Sequence, residues 1–282
     1  NLKIPRLNAS RKKLPGKKIS SSLTTATSSL GPAPVVIRRR KLSRKFPSAP
    51  LSFPVLILGL ILLGGCTREP VSRRQEEIGG SFNEIVIVGK TKSERERILT
   101  EAFEILRRTY AKIDWRNRES EIARVNEKGF VEPQEVSPEV FEIIQKSFEF
   151  FKKTGGAFDI TVLPLLKVWG FDGEASEPPR PEEIQNLLPR IGSNSLLLDD
   201  KRRKVGFRIA RMGIELGGVA RGYICDEVIQ YLKAQGISGG LVNIGGTIGA
   251  FGNSPDGKPW RVGLRHPRDP TRTLRVISLW NE

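Results

Sequence analysis

The run Glu215-Leu-Gly-Gly-Val-Ala-Arg-Gly-Tyr-Ile-Cys-Asp226, with Leu241-Val-Asn-Ile-Gly-Gly246 close behind it, holds residue types that suit an anionic ligand. A strand entering a Gly-Gly turn and then a helix leaves backbone N–H groups without intrahelical partners, and the helix dipole favours negative charge there. Arg221 stands one turn into that helix and adds a fixed positive charge with a fork of donors suited to phosphate. The geometry predicts a phosphate-bearing ligand. Strand–glycine–helix turns also serve as plain packing devices, so the signal gains weight from its neighbours. Upstream lie Gly155-Gly-Ala-Phe-Asp159, Trp169-Gly-Phe171, and Trp115 followed by Ser120-Glu-Ile-Ala-Arg-Val-Asn126.

The elements that must carry these motifs follow from periodicity. Residues 82–88 are rich in β-branched side chains and predict a strand. Ile98, Ala102, Ile105, Leu106 and Tyr110 repeat at helical spacing and predict a helix over 94–113. Ser137 before Pro138 and Glu139 predicts a second helix, running to about Lys153 and stopped by Gly155-Gly156. Residues 172–181 read as an exposed loop, and 196–199 and 205–209 as short strands joined by a basic turn. A helix over 218–235 ends at Gly236, and strands are expected over 241–244, 247–251, 260–264 and 274–279. This order predicts an α+β fold: a single domain over 81–282 with a mixed or antiparallel sheet and flanking helices.

The net charge of +16 is unevenly placed. Residues 1–50 hold 13 basic residues and no acid, which leaves +3 for the rest. The body therefore has a surface of both signs, with no basic stripe interleaved with aromatics, and nucleic acid is not an expected partner. Residues 1–34, rich in Ser, Thr, Lys and Pro, are expected to be disordered or to precede the true start. Residues 35–66 read as a secretory signal: a basic stretch, an apolar run too short to span a bilayer, and Leu63-Gly-Gly-Cys66. That ending resembles a bacterial lipobox, which makes Cys66 the lipidated residue. A plain signal or an anchor helix is the alternative. Residues 67–80 then form a polar tether. Cys225, on an apolar helix face, is expected to act as a small hydrophobe, and His266 as a surface residue.

Taken together, the motifs from about Gly79 onward resemble the ApbE-type flavin transferases, the FAD:protein FMN transferases. The carriers are Trp115 with Ser120 to Asn126, the run Gly155 to Thr161, Trp169-Gly-Phe171, the run Glu215 to Tyr223 with Asp226, Val242-Asn-Ile-Gly-Gly246, and Trp260-Arg-Val-Gly263 with Pro267. The resemblance implies an ApbE-like fold and covalent flavinylation. FAD is bound with Mg2+, a Thr or Ser hydroxyl of a target protein attacks the FMN phosphorus, and AMP leaves. It implies an acceptor subunit of a membrane redox complex, and a place in the bacterial envelope, lipid-anchored through Cys66 on the periplasmic side. Water as the nucleophile would give a FAD pyrophosphatase, and loss of turnover a flavin-binding lipoprotein.

By the same resemblance Trp115 would stack on a ring of FAD, with a core tryptophan as the plain alternative. Ala157, Phe158 and Asp159 would line the FAD site, although Asp159 could equally cap the next element. Glu215 would contact a hydroxyl of FAD, Gly218 would offer its carbonyl to the metal, and Arg221 would stand near the phosphates. Departures from the family pattern are Gly79-Gly-Ser81 for Met-Gly-Thr, Glu215 for Asp, Arg221 for Lys and Thr247 for Asp. The family's His-Ile-x-Asp-Pro and Asp-x-x-x-Thr segments have no counterpart up to Glu282. The chain is therefore expected to be truncated, with the catalytic residues in the missing part.

Overall fold

A computed structural model describes residues 70–171, 173 and 177–279. In chain order its strands are β1 (Val71–Ile78), β2 (Ser81–Val88), β3 (Gln134–Glu135), β4 (Leu196–Asp199), β5 (Lys204–Phe207), β6 (Gly239–Ile244), β7 (Thr247–Gly252), β8 (Trp260–His266) and β9 (Asp269–Leu279). Its α-helices are α1 (Lys92–Ile113), α2 (Glu121–Lys128), α3 (Pro138–Lys153), α4 (Leu163–Val168), α5 (Pro181–Leu187) and α6 (Gly217–Ala234).

β2 is buried at every position from Asn83 to Val88. The physical reason is a core on each face of the main sheet, whose order is β1-β2-β6-β7 with all pairs antiparallel. Ile85, Ile87, Val242 and Ile244 belong to the larger core, which also holds Ile98, Leu99, Ala102, Phe103 and Leu106 of α1 and Ile224, Val228 and Leu232 of α6. Val86, Val88 and Leu241 belong to a second core with Trp260 and Val262 of β8. A strand covered on both sides reads as a continuous apolar run rather than an alternating one. A smaller sheet, ordered β3-β5-β4, and the β8-β9 hairpin complete the α+β architecture.

The structure corrects the expected tether. Val71–Ile78 is an edge strand, paired along its whole length with β2, so the sheet includes residues up to ten positions before the expected domain start at Ser81. Its polarity hid it. Ser72, Arg74 and Glu76 are half-buried and engage α1: Arg95 Nε donates to Ser72 Oγ at 2.9 Å, Arg74 donates to Thr100 Oγ1 at 2.9 Å, and Arg107 pairs with Glu76. Polar and charged side chains on an edge strand also discourage pairing with other chains. Residues 1–66 and Cys66 itself lie outside the described residues, as do 67–69. Ser137 occupies the N-cap position of α3 but makes no side-chain cap bond. Its N–H donates instead to Glu121 Oε2 at 2.6 Å.

Cys225 is buried under β7, where a Cβ on Gly249 would stand 2.8 Å from its sulfur. Burial, aided by the charge of Asp226, pushes its thiol from 9.0 up to about 11. Burial and a hydrogen bond to Glu101 likewise raise Tyr231 to about 12. Groups raised on folding contribute stability that is complete below their unfolded values and lost as pH rises toward the folded ones. The melting temperature is therefore expected to fall between pH 9 and pH 11, and Cys225→Ala to flatten the first part of that fall. Parallel melts of both proteins check this, and a flat wild-type profile would contradict it.

Candidate functional site

The motif Glu215 to Tyr223 does not form the expected strand, turn and helix. Residues 212–216 have no regular secondary structure and belong to no sheet, and Gly217 and Gly218 are the first residues of α6 itself. Their φ values are not positive, so their role is close approach rather than chain reversal. A Cβ on Gly217 would lie 2.6 Å from Glu215 Oε1, and one on Gly218 would lie 2.9 Å from Phe158 Cε2. The helix end is also less open to anions than the sequence implied. Glu215 Oε1 accepts the Gly217 N–H at 2.7 Å, while Val219 and Ala220 donate to Leu216 O at 3.0 and 2.8 Å. A carboxylate already sits where the dipole favours negative charge.

The Gly155 motif reaches the same place from the other side. Gly155 and Gly156, with φ of 62° and 86°, stop α3 in a conformation that suits glycine. Thr154 Oγ1 then accepts the Phe158 N–H at 3.0 Å, and Phe158 packs edge-on against Phe150 and onto Gly218. The half-buried Asp159 carboxylate turns inward. Oδ1 accepts Thr161 N at 2.8 Å, Thr161 Oγ1 at 2.6 Å and Ser193 Oγ at 2.7 Å, while Oδ2 accepts Ser193 N at 3.0 Å. Asp159 thus caps the 3-10 turn Ile160–Val162 and clamps a second turn 34 residues away. One residue on, Ile160 O accepts the Glu215 N–H at 2.8 Å. Phe158, Glu215 and Gly218 therefore meet at the start of α6. Ala157 is exposed beside them in sequence.

Arg221 is exposed and reaches a third group of residues. Its Nη1 lies 3.4 Å from Gly245 O, in the two-residue turn between β6 and β7. Gly245 and Gly246 have φ of 55° and 98°, as a hairpin turn with two left-handed residues requires. The β1-β2 turn is built the same way, from Gly79 and Gly80 with φ of 62° and 66°. The two turns are neighbours. Gly245 N donates to Phe82 O at 3.2 Å, and a Cβ on Gly245 would stand 3.0 Å from Ser81 Oγ and 3.4 Å from Arg221 Cζ. At Gly79 the ring of Tyr110 occupies the space a Cβ would need, at 2.5 Å, so no larger residue fits the present packing. Buried Asn83 holds the turn through bonds from Nδ2 to Ile78 O and Ser81 O.

Trp115 is half-buried against the main core and makes different contacts. The Arg116 guanidinium lies 4.4 Å from its ring centroid and the Lys167 ammonium 5.6 Å. Arg116 also donates to the carbonyl of the exposed Phe171 at 2.7 Å, so one guanidinium links the Trp115 ring to that residue's backbone. Among the described residues, the buried indole N–H has no hydrogen-bond partner. Two open concavities of about 440 and 400 Å³ lie elsewhere, lined in part by Arg124 and Arg203 and by Lys146 and Asp226. Among the described residues, no three His, Cys, Asp or Glu side chains are placed to hold a metal. Of the carboxylates nearest the start of α6, Asp159 is engaged through both oxygens and Glu215 through Oε1. His266 accepts the Arg268 N–H at 3.3 Å on the β8-β9 hairpin.

A sequence profile described as the ApbE family matches residues 80–282. The chain belongs to the ApbE family. It is 29% identical over 227 residues to the FAD:protein FMN transferase of Vibrio cholerae, covering 79% of this chain and 67% of that one. With the transferase of the same name from Escherichia coli it shares 29% identity over 165 residues, covering 57% and 47%. The solved structure of the flavin transferase ApbE from Vibrio cholerae superposes with a TM-score of 0.69 at 26% identity, covering 76% of this chain and 70% of that one. The ApbE protein from Thermotoga maritima gives 0.69 at 29% identity, covering 74% and 68%. The chain thus spans two thirds of one curated relative and about half of the other.

In this ApbE chain sequence reasoning marked Glu215, Gly218, Phe158 and Arg221, but gave no role to Asn126, Ser193 or Ser81. In the sequence Asn126 stands out only as the end of the Ser120 motif, and Ser81 only as part of the departure at Gly79-Gly-Ser81. The Phe158 contact makes a direct prediction. Alanine normally stabilises a helix relative to glycine by about 1 kcal/mol. Gly218→Ala is expected to destabilise instead, by roughly 1–3 kcal/mol, because its methyl meets the Phe158 ring. Adding Phe158→Leu should recover part of the loss. Denaturant titrations of the three proteins measure this, and a stabilised Gly218→Ala would show that the contact does not constrain the helix.

Proposed function

We propose that this chain transfers the FMN part of FAD to a threonine or serine hydroxyl of a target protein. The hydroxyl oxygen bonds to the FMN-side phosphorus, the bond from that phosphorus to the AMP oxygen breaks, and the hydroxyl proton is released. Family membership and the names of the relatives support the reading. The observation that carries it is the meeting of Arg221 with two double-glycine turns. A diphosphate needs a cation it can approach closely, and glycine backbone without Cβ atoms beside the Arg221 guanidinium leaves room for that approach. Arg221 would neutralise phosphate charge, which is the main protein contribution to phosphoryl transfer. Glu215 would accept from a hydroxyl of FAD, Ala157 and Phe158 would line the site, and Trp115 would stack on a ring. The Asp159 side chain would act by holding the turn. Mg2+ is proposed from the resemblance alone, and the roles of the residues described here are confined to binding and orientation.

The test is mass spectrometry on the full chain with FAD, magnesium chloride and a threonine-bearing acceptor peptide. The peptide is expected to gain FMN as a phosphoester, and EDTA to prevent it. Arg221→Ala should slow labelling about 100-fold, while Arg221→Lys retains most of it. Free FMN and AMP without labelled peptide would replace the transferase by a FAD pyrophosphatase. Intact FAD would leave a flavin-binding lipoprotein.

Lipidation of Cys66, a periplasmic location and an acceptor subunit of a membrane redox complex belong to the same proposal. No helix among the described residues is long and apolar enough to cross a membrane. β1 begins at Val71 opposite Val88, whereas the glycine turns lie at the other end of β2. At about 3.4 Å per residue the two ends are roughly 24 Å apart. An anchor five residues before Val71 would therefore hold the sheet by the end remote from Arg221. Cys66→Ala is expected to move the protein from the membrane fraction to the soluble one. Unchanged membrane association would overturn the lipid reading.

A further inference from the structure

Glu215 is placed by a segment that no sheet supports. Residues 212–216 run between α2 and the turn after Asp159, and three long-range hydrogen bonds hold their centre. Asn126 Oδ1 accepts the Ile214 N–H at 2.7 Å, and Asn126 Nδ2 donates to Ile214 O at 3.0 Å. Ile160 O accepts the Glu215 N–H at 2.8 Å. Two of the three come from one side chain 88 residues away in sequence. The primary amide imitates a neighbouring strand, since it carries one acceptor and one donor on adjacent atoms. Aspartate would keep only the acceptor and alanine neither. Ile214, Ile122 and Val125 are fully buried around the pair, which leaves little room for water as a substitute. Gly213 belongs to the same fit, because a Cβ there would stand 2.9 Å from Leu163 and 3.5 Å from Asn126 Oδ1.

We infer that Asn126 is a positioning residue for flavin binding: by gripping Ile214 from both sides it sets the place of the Glu215 carboxylate and of the first turn of α6. This rests on the FAD-binding role proposed above for Glu215. The displacement at stake is small, but a shift near 1 Å at such a contact is enough to weaken it strongly.

Hydrogen exchange on the full chain tests the grip without any ligand. In Asn126→Ala, amides in peptides covering 213–219 are expected to exchange about 10-fold faster or more, while those of Ile98 and Leu106 in α1 keep their protection. Asn126→Asp should fall between, and it carries the measurement if the alanine variant fails to fold. Unchanged exchange at 213–219 overturns the inference. A FAD titration by flavin fluorescence then links the grip to Glu215 through a double-mutant cycle. Asn126→Ala should weaken FAD binding about 10-fold in the parent chain and less than 2-fold in a Glu215→Gln background. Additive losses would overturn the coupling. A Glu215→Gln chain that binds FAD like the parent would instead remove the contact assigned to Glu215, with the exchange data still deciding whether Asn126 holds the segment.

Discussion

The register of β2 against β6 is the constraint on which the site depends. Asn83 stands opposite Ile244, and each strand ends in a two-residue glycine turn, so the turns at Gly79-Gly80 and Gly245-Gly246 come to lie side by side. A slip by one residue would separate them and would also exchange the two faces of β2. That exchange is strongly opposed, because Ile85 and Ile87 are committed to the helical core and Val86 and Val88 to the core under β8. Burial on both faces thus locks the position of two exposed turns. The energy that orders the site comes from apolar contacts outside it.

Close approach is the second constraint, and it explains why the motif glycines differ in kind. Gly155, Gly156, Gly245 and Gly246 take left-handed conformations that other residues seldom adopt. Gly217 and Gly218 are ordinary helical residues, and what excludes a side chain there is the Glu215 carboxylate and the Phe158 ring. The first group shapes the turns. The second lets α6 begin directly against the Gly155 motif, so that Arg221 projects from a helix whose start is already fixed. Asp159 works in the same direction: four hydrogen bonds to Thr161 and Ser193 occupy its carboxylate and steady the turn that presents Phe158 and Ile160.

Much of this was legible in the residues. Apolar periodicity located α1, cap and glycine-stop signals located α3 and the end of α6, a β-branched run located β2, and turn signals bounded the later strands. β1 was missed because its inward side chains meet α1 through ion pairs and hydrogen bonds, which leave no apolar signature. The reading of Gly217-Gly218 as a turn failed for a related reason. Sequence records that a side chain is missing but not whether conformation or a neighbour forbids it.

By itself, then, the sequence determined the fold class, the family and the types of residue available for a phosphate-bearing ligand. These depend on local pattern and on motifs in order along the chain. Only the tertiary structure decided which of those residues meet. It joined Phe158 to Gly218, Arg221 to the Gly245 turn, and Arg116, stacked on Trp115, to Phe171, and it turned Asp159 inward. It also gave Asn126 its hold on Ile214 across 88 residues. Such pairings follow from strand register and packing depth, which couple residues far apart in sequence and leave no trace in the spacing of either partner.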